Sequence, residues 1–378
     1  MRKFVASFTF FISFIIFISS VLFLSACGHP NALKNQAYVF GTLVEVIITE
    51  NNEQNAQQAM NLVLEEFDKL NDQFHAWNGT SELSLVNKFI SKNSGDTNKK
   101  IAISKQLAEI ILQSQQISQQ NDYIFDAGIG KLIELWGFQQ DDFENNKVPT
   151  KQQIQQFLDT KPSIKNIIIS QDNNDNNNYY LTSNNAEVAL DFGGFLKGLA
   201  LDNAAKILQQ NNIKNALINI GGNVYALGNK FGNAWKIGIR HPRESGPIAL
   251  LELNDNEALG TSGDYQRFFE ENNIRYSHLL NPKTGYPANQ TQSLTILTNQ
   301  QTLNSEINKN LSIGLLSDVY SKPLFIAGDN WISIAKKLNL KYVLRVNSNG
   351  EIEITEDFYK RIKFVDENKL KIKIIKLN

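Results

Sequence analysis

Residues 189–202 read Ala-Leu-Asp-Phe-Gly-Gly-Phe-Leu-Lys-Gly-Leu-Ala-Leu-Asp: an apolar run ending in an acid, two glycines, a lysine and a third glycine. This spacing describes a strand-to-helix turn that suits an anion. Gly193 and Gly194 let a phosphate approach the backbone, a helix N-terminus presents N–H groups, and Lys197 adds positive charge. Leu199, Leu201, Ala204, Ala205 and Leu208 form the apolar side of the helix that follows. The Walker spacing and Gly-x-Gly-x-x-Gly are both absent. An ordinary tight turn, with glycines serving packing only, fits the same residues. Three further segments join a turn to one polar group: Gly221-Gly222-Asn223, Thr261-Ser262-Gly263-Asp264, and His278 ahead of Asn281-Pro282.

The elements that must position these residues are strands and blocks of helix. Alternating or apolar runs predict strands at 38–49, 215–220, 235–242, 250–253, 291–298, 342–346 and 352–354. Helical spacing predicts helices at 55–71, 104–121 with Ser104 as N-cap, 151–158, and 311–327 apart from Pro323. A short helix begins at Ser81; 74–80 reads as a loop, 258–265 as a turn, and the Asn-rich 171–178 as a hairpin loop or disordered tip. Many strands with helices in blocks predict an α+β fold with a largely antiparallel sheet.

The chain has 378 residues, enough for one large or two ordinary domains. Lys and Arg number 37 against 38 Asp and Glu, a net charge of −1 that gives no reason to expect a nucleic-acid partner. Met1-Arg2-Lys3 precedes an apolar run at 4–24 and then Leu24-Ser25-Ala26-Cys27. This reads as a bacterial lipoprotein signal over 1–26 with Cys27 as the lipidated first residue, leaving 378 − 26 = 352 residues. An uncleaved signal anchor is the alternative, since the run is long enough to span a bilayer. Either reading places the body outside the cytoplasm, in the periplasm, tethered to the inner or outer membrane. Residues 27–37 read as a linker and 38–378 as the functional domain. Cys27 is the only cysteine, so disulfides, thiolate metal sites and a cysteine nucleophile are not expected.

Taken in order, these segments resemble the ApbE family of flavin transferases (FAD:protein FMN transferase). The resemblance runs from residue 40 to about 328. It is carried by Phe125-Asp126 with Leu135-Trp136-Gly137-Phe138, by Leu190 to Gly194 with Lys197-Gly198, and by Thr261 to Tyr265 followed by His278, Pro282, Thr284-Gly285 and Pro287. It implies an ApbE-like fold with antiparallel sheets packed with helices. It also implies an enzyme that cleaves FAD and attaches FMN through a phosphoester to a threonine of a partner protein, a redox-complex subunit, releasing AMP with the aid of Mg²⁺. Displacement at a pyrophosphate rests mostly on positioning and electrostatics, and Mg²⁺ prefers oxygen ligands.

By the family's pattern Asp318 is the carboxylate ligand for the metal, and the Gly194 carbonyl is a second candidate. Phe40, Trp77, Phe125, Asp126, Asp191, Thr261 and Leu280 match the FAD site, and Lys197 its phosphate or adenosine side. His278 is the candidate general base on the acceptor threonine; capping the Asn-Pro turn is its structural alternative. Asp126 and Asp191 also fit as Asx residues fixing their own turns, and Trp136 as core. Two departures stand out. Where the family has a threonine four residues after the metal aspartate, this chain has Lys322, with Ser321 one residue earlier as a substitute ligand; the usual Asp-Pro is Asn281-Pro282. The same site would also serve an FAD pyrophosphatase, in which water replaces the threonine, or a catalytically weak FAD-binding lipoprotein.

Overall fold

The structure is a computed structural model and describes residues 32–93, 99–140, 142–143, 145–172 and 178–377. The signal segment, Cys27 and the tip of the Asn-rich loop lie outside the described residues.

Alternating residues open the described chain as a hairpin. β1 (Leu33–Val39) pairs antiparallel with β2 (Thr42–Ile48), and Tyr38 lies opposite Leu43. The turn is Phe40-Gly41, with φ of 55° and 68°. The strand therefore starts inside what the sequence reads as a linker, at Leu33 instead of 38.

Helix α1 (Glu53–Phe74) is capped by Asn52 and buries Ala56, Ala59, Val63, Phe67, Leu70 and Phe74 at three- and four-residue intervals. Then come α2 (Glu82–Asn93), β3 (Ile101–Ile103) and α3 (Lys105–Gln120), capped by the Ser104 hydroxyl as expected. Next are α4 (Gly130–Leu135), α5 (Lys151–Thr160), β4 (Ile167–Gln171), β5 (Tyr179–Ser183) and α6 (Leu196–Gln210). The strands β6 (Ala216–Ile220), β7 (Asn223–Leu227), β8 (Trp235–Arg240), β9 (Pro247–Leu253), β10 (Glu257–Gly263), β11 (Phe268–Glu271), β12 (Ile274–Ser277) and β13 (Thr291–Thr298) follow. The chain ends with α7 (Gln300–Leu303), α8 (Ile313–Ala327), α9 (Trp331–Lys337), β14 (Tyr342–Asn347), β15 (Ile352–Thr355), α10 (Glu356–Tyr359), β16 (Ile362–Phe364) and β17 (Ile372–Ile375).

The main sheet has nine strands in the order β1-β2-β6-β7-β10-β13-β14-β15-β17. Every neighbouring pair is antiparallel except β15 with β17. This is the α+β, largely antiparallel fold the sequence predicts. One face carries Ile218, Tyr225, Ala258, Ile296 and Val343 into a core shared with α1, α6 and α8. The other presents Val224, Leu259, Leu297, Leu344 and Ile354 to Trp235, Leu251 and Leu253 of the small β16-β9-β8 sheet. Burial on both faces explains why β7 shows no polar alternation.

The stretch read as a turn at 258–265 is instead mostly the central strand β10. A Cβ on Gly260 would overlap the Ser317 carbonyl of α8, so the strand must be built of small residues where the helix backbone lies on it. Its composition imitates a turn for that reason. The turn at 189–194, conversely, has no strand before it, only a single bridge from Ala189 to Ile129. Helix α8 runs through Pro323; Ile313 to Phe325 are all buried, and this packing outweighs the missing N–H.

Helices α6 and α8 cross at glycines. A Cβ on Gly198 would sit 2.8 Å from the Gly314 carbonyl, and one on Gly314 2.9 Å from that of Gly198. Across this contact Asp202 of α6 caps α8, accepting the N–H groups of Gly314 (2.8 Å) and Leu315 (2.6 Å) and the Ser312 hydroxyl. Burial pushes the Asp202 carboxyl up to about 6. Asp202→Ala is expected to destabilise the protein by about 1–3 kcal/mol in denaturant melts, with Asp202→Asn in between. A loss below about 0.5 kcal/mol would show that the cap is dispensable.

Candidate active site

The loops at the hairpin turn of β1 and β2, the start of α6 and the 278–282 segment enclose a cavity of about 990 Å³. That is the upper end of the range for ligand sites, about 300–1,000 Å³. Phe40, Trp77, Phe125, Asp126, Asp191, Gly194, Lys197, Thr261, His278 and Leu280 all line it. Residues spread over 240 positions of sequence thus meet at one surface.

Each is held by identifiable bonds. Asp191 accepts the Trp77 indole N–H at 2.9 Å and the Gly193 N–H at 2.8 Å, so one carboxylate sets both the ring and the glycine turn. Phe125 lies beneath Gly194, where an added Cβ would meet its ring at 3.0 Å. Phe40 packs edge-on against Phe67 of α1 at 6.0 Å. The Lys197 ammonium rests 3.2 Å from the Gly193 carbonyl. Leu280 bridges to Pro287, and Asn281 organises the turn through the Lys283 N–H at 2.9 Å.

Asp126 also lines the cavity, but its carboxylate accepts the N–H groups of Gly128 and Ile164, both at 2.8 Å, and the Ser163 hydroxyl. Burial raises its carboxyl and these bonds pull it back in part. It fixes the loop before α4, as the Asx alternative expects. Trp136 is core, with its indole N–H on the Gly285 carbonyl at 2.8 Å.

His278 holds its Nδ1 3.1 Å from the Arg267 carbonyl. A carbonyl only accepts, so Nδ1 carries the proton and Nε2 keeps its lone pair. Burial, then the charges of Arg267 and Lys197, lower the imidazole from 6.5 to about 3. The ring is neutral at working pH. The sign for stability follows: between about 6.5 and 3 the unfolded histidine binds a proton that the folded one refuses, so stability is lost as pH falls through that window. Wild type should lose stability more steeply than His278→Gln there, by up to about 1.4 kcal/mol per pH unit. Asp202, with its raised value, works in the opposite direction. The readout is therefore the difference between the two melts, and parallel curves would refute the assignment.

The metal candidates behave differently. Asp318 and Ser321 are buried behind the cavity wall, and Lys322 stands in the wall itself. Asp318 Oδ1 accepts the Lys322 ammonium at 2.6 Å and the Asn223 amide at 2.8 Å; Oδ2 accepts the Gly198 N–H at 3.0 Å. Lys322 also donates to the Asp318 carbonyl at 2.8 Å. Burial raises the Asp318 carboxyl, but the charges of Lys322 and Lys197 and the hydrogen bonds outweigh it, leaving it below the usual value. Burial likewise lowers Lys322, against the pull of Asp318.

The Ser321 hydroxyl is turned towards β10, pairing with Ser262 at 2.7 Å and donating to the Asp318 carbonyl at 2.7 Å. The Lys322 stem covers Gly194, with Cε 2.9 Å from where a Cβ would stand. No group of three or more His, Cys, Asp or Glu residues suited to a metal occurs among the described residues. The expected Mg²⁺ site of Asp318, Gly194 and Ser321 does not fit a divalent ion in this arrangement: the Asp318 carboxylate already accepts three donors, one of them a cation, and the Ser321 hydroxyl is turned to β10. The Gly198 N–H, one of those expected to face an anion, goes to Asp318 instead.

The sequence marks Asn223 only as the polar residue of a Gly-Gly turn. Its amide links Asp318 to the backbone of the central strand, where its Oδ1 accepts the Thr261 N–H at 3.1 Å. Thr261 itself pairs with Thr295 at 2.9 Å. The Asp318–Lys322 pair was open to sequence reading, because a carboxylate and an ammonium four residues apart share one helix face.

Comparison with known proteins matches residues 40–344 to the family model described as "ApbE family". A FAD:protein FMN transferase of Rhodobacter capsulatus is 29% identical over 330 residues, covering 87% of this chain and 58% of that protein. One from Haemophilus influenzae is 27% identical over 300 residues, 78% of this chain and 80% of its own. The chain thus spans little more than half of the Rhodobacter protein. The crystal structure of the ApbE protein of Thermotoga maritima superposes with a TM-score of 0.74 at 29% identity, covering 88% of this chain and 99% of that one. The flavin transferase ApbE of Vibrio cholerae shares the fold with a TM-score of 0.70 at 22% identity, covering 88% of this chain and all of its own.

Proposed function

The chain belongs to the ApbE family, and we propose that it is an FAD:protein FMN transferase. The observation that supports this most directly is the cavity. It joins two aromatic rings, Trp77 and Phe125, suited to flat adenine and isoalloxazine systems, to a Gly-Gly turn with the Lys197 ammonium, suited to a pyrophosphate. The acceptor is a threonine of a partner protein, of the redox-complex subunit kind. Its oxygen bonds to the FMN phosphorus as the bond from that phosphorus to the bridging oxygen breaks. The bridging oxygen leaves with AMP, and the hydroxyl proton passes to a base. His278 Nε2, neutral and with its lone pair available, is our candidate for that base. No step runs through Mg²⁺ at Asp318, whose carboxylate already holds the Lys322 ammonium. We further propose, on residues 1–27, that the protein is a lipoprotein anchored through Cys27 on the periplasmic side of a membrane.

The test incubates the full-length protein with FAD, with and without a threonine-bearing acceptor protein. AMP together with a covalently fluorescent acceptor is the expected result. AMP without labelled acceptor would make it a pyrophosphatase, and tight FAD binding without AMP a flavin-holding protein.

A further inference from the structure

A divalent ion bridging a protein carboxylate and a phosphate needs vacant oxygen lone pairs on the protein side. At Asp318 the place of a cation is taken from within the chain by an ammonium. The Lys322 ammonium lies 2.6 Å from Oδ1 and 2.8 Å from the Asp318 carbonyl, and it lines the cavity that its partner carboxylate does not reach. An ammonium carries three N–H donors. Two are engaged by Asp318, and the third has no protein partner among the described residues. The neighbouring cation on the cavity wall is Lys197, whose charge is felt at both Lys322 and Asp318.

We infer that Lys322 is a built-in replacement for a divalent cation: anchored on Asp318, it offers its third N–H to an oxygen of the FAD pyrophosphate, and the chain cleaves that pyrophosphate with no ion on Asp318. The inference rests on the reading of the cavity as an FAD site. Lys197 and Lys322 together face the dianionic bridge, and the leaving AMP oxygen develops its charge beside fixed ammonium groups. An ammonium carries one unit of charge where the ion carries two, so turnover is slow but indifferent to chelators. The Lys322 stem packed on Gly194 keeps that arrangement rigid.

The experiment uses the full-length protein, as wild type, Lys322→Thr and Lys322→Met; the methionine keeps the stem and so guards against a variant that merely fails to fold. Two readouts are taken: the thermal midpoint with and without Mg²⁺, and AMP release from FAD in EDTA or Mg²⁺. Wild type should shift by less than about 1 °C with Mg²⁺ and release AMP within about 2-fold of the same rate in EDTA. Both variants expose the carboxylate, so Mg²⁺ should raise their midpoints by about 3 °C or more and EDTA should cut their AMP release at least about 10-fold. A wild-type midpoint that rises with Mg²⁺ as much as the variants' would overturn the inference, because the ion then displaces Lys322. So would wild-type AMP release that EDTA abolishes. Absence of AMP in every arm would defeat the reading of the site; the Mg²⁺ shifts would still decide whether Lys322 fills Asp318.

Discussion

Asp318→Ala should destabilise the protein by about 3–5 kcal/mol, the cost of leaving one half of a buried ion pair without the other. Three donors lose their acceptor at once: the Lys322 ammonium, the Asn223 amide and the Gly198 N–H. The ammonium is the expensive one, since it remains in a buried site with only the Asp318 backbone carbonyl beside it. Denaturant melts of the single variant, of Lys322→Met and of the double variant separate these contributions. The double variant should recover part of the loss, because removing both charges leaves none uncompensated. AMP release should vanish in Asp318→Ala, since Lys322 loses its anchor. A single variant that melts within about 0.5 kcal/mol of wild type would mean the pair is solvated and contributes nothing.

The second large effect is expected at Gly260. Its added Cβ would overlap the Ser317 carbonyl and come within 3.0 Å of the Asp318 nitrogen, both of them backbone atoms. Neither can rotate away, so α8 must lift from β10. Gly260→Ala should therefore cost about 3 kcal/mol, the top of the ordinary overpacking range, and Gly260→Val more. Because the helix that moves carries Asp318 and Lys322, AMP release should fall by at least about 10-fold as well, the sensitivity expected when reacting groups are displaced. Gly79→Ala is the control: nothing lies within 4 Å of its added Cβ, and its melt should match wild type within about 0.5 kcal/mol. Equal melts for both glycine variants would show that β10 and α8 have slack.

These two sites also mark what the sequence revealed and what it hid. Periodicity found the helices of ordinary composition, and Ser104 could be named as a cap because the N-cap preference is local chemistry. The α+β class followed from counting such elements. Strand β10 reads as a turn because its glycines answer to a helix lying across it, a long-range cause with no local signature. Trp77, Asp191 and Lys197 could be proposed as neighbours only through the family's pattern. The bond from the Trp77 indole to Asp191 across 114 positions is legible only in three dimensions. Lys322 is visible as a departure, but whether it faces solvent or Asp318 depends on α8 being buried from Ile313 to Phe325. Asp126 lines the cavity, but the partners that hold its carboxylate, Ser163 and Ile164, come from another segment that no local pattern reveals.

The parallel pairing of β17 with β15 has a consequence for the chain as a manufactured object. The matched family region ends at residue 344, so the strands that complete this side of the main sheet lie beyond it. Until residues 372–375 arrive, β15 presents a row of unpaired backbone groups, an open edge of the sort that recruits other chains. β17 closes it and exposes Lys373, with Lys371 and Lys376 beside it, charges that discourage a further strand from adding. A protein lacking β17 should consequently be sticky instead of inactive, and solubility, ahead of catalysis, is the property this strand protects.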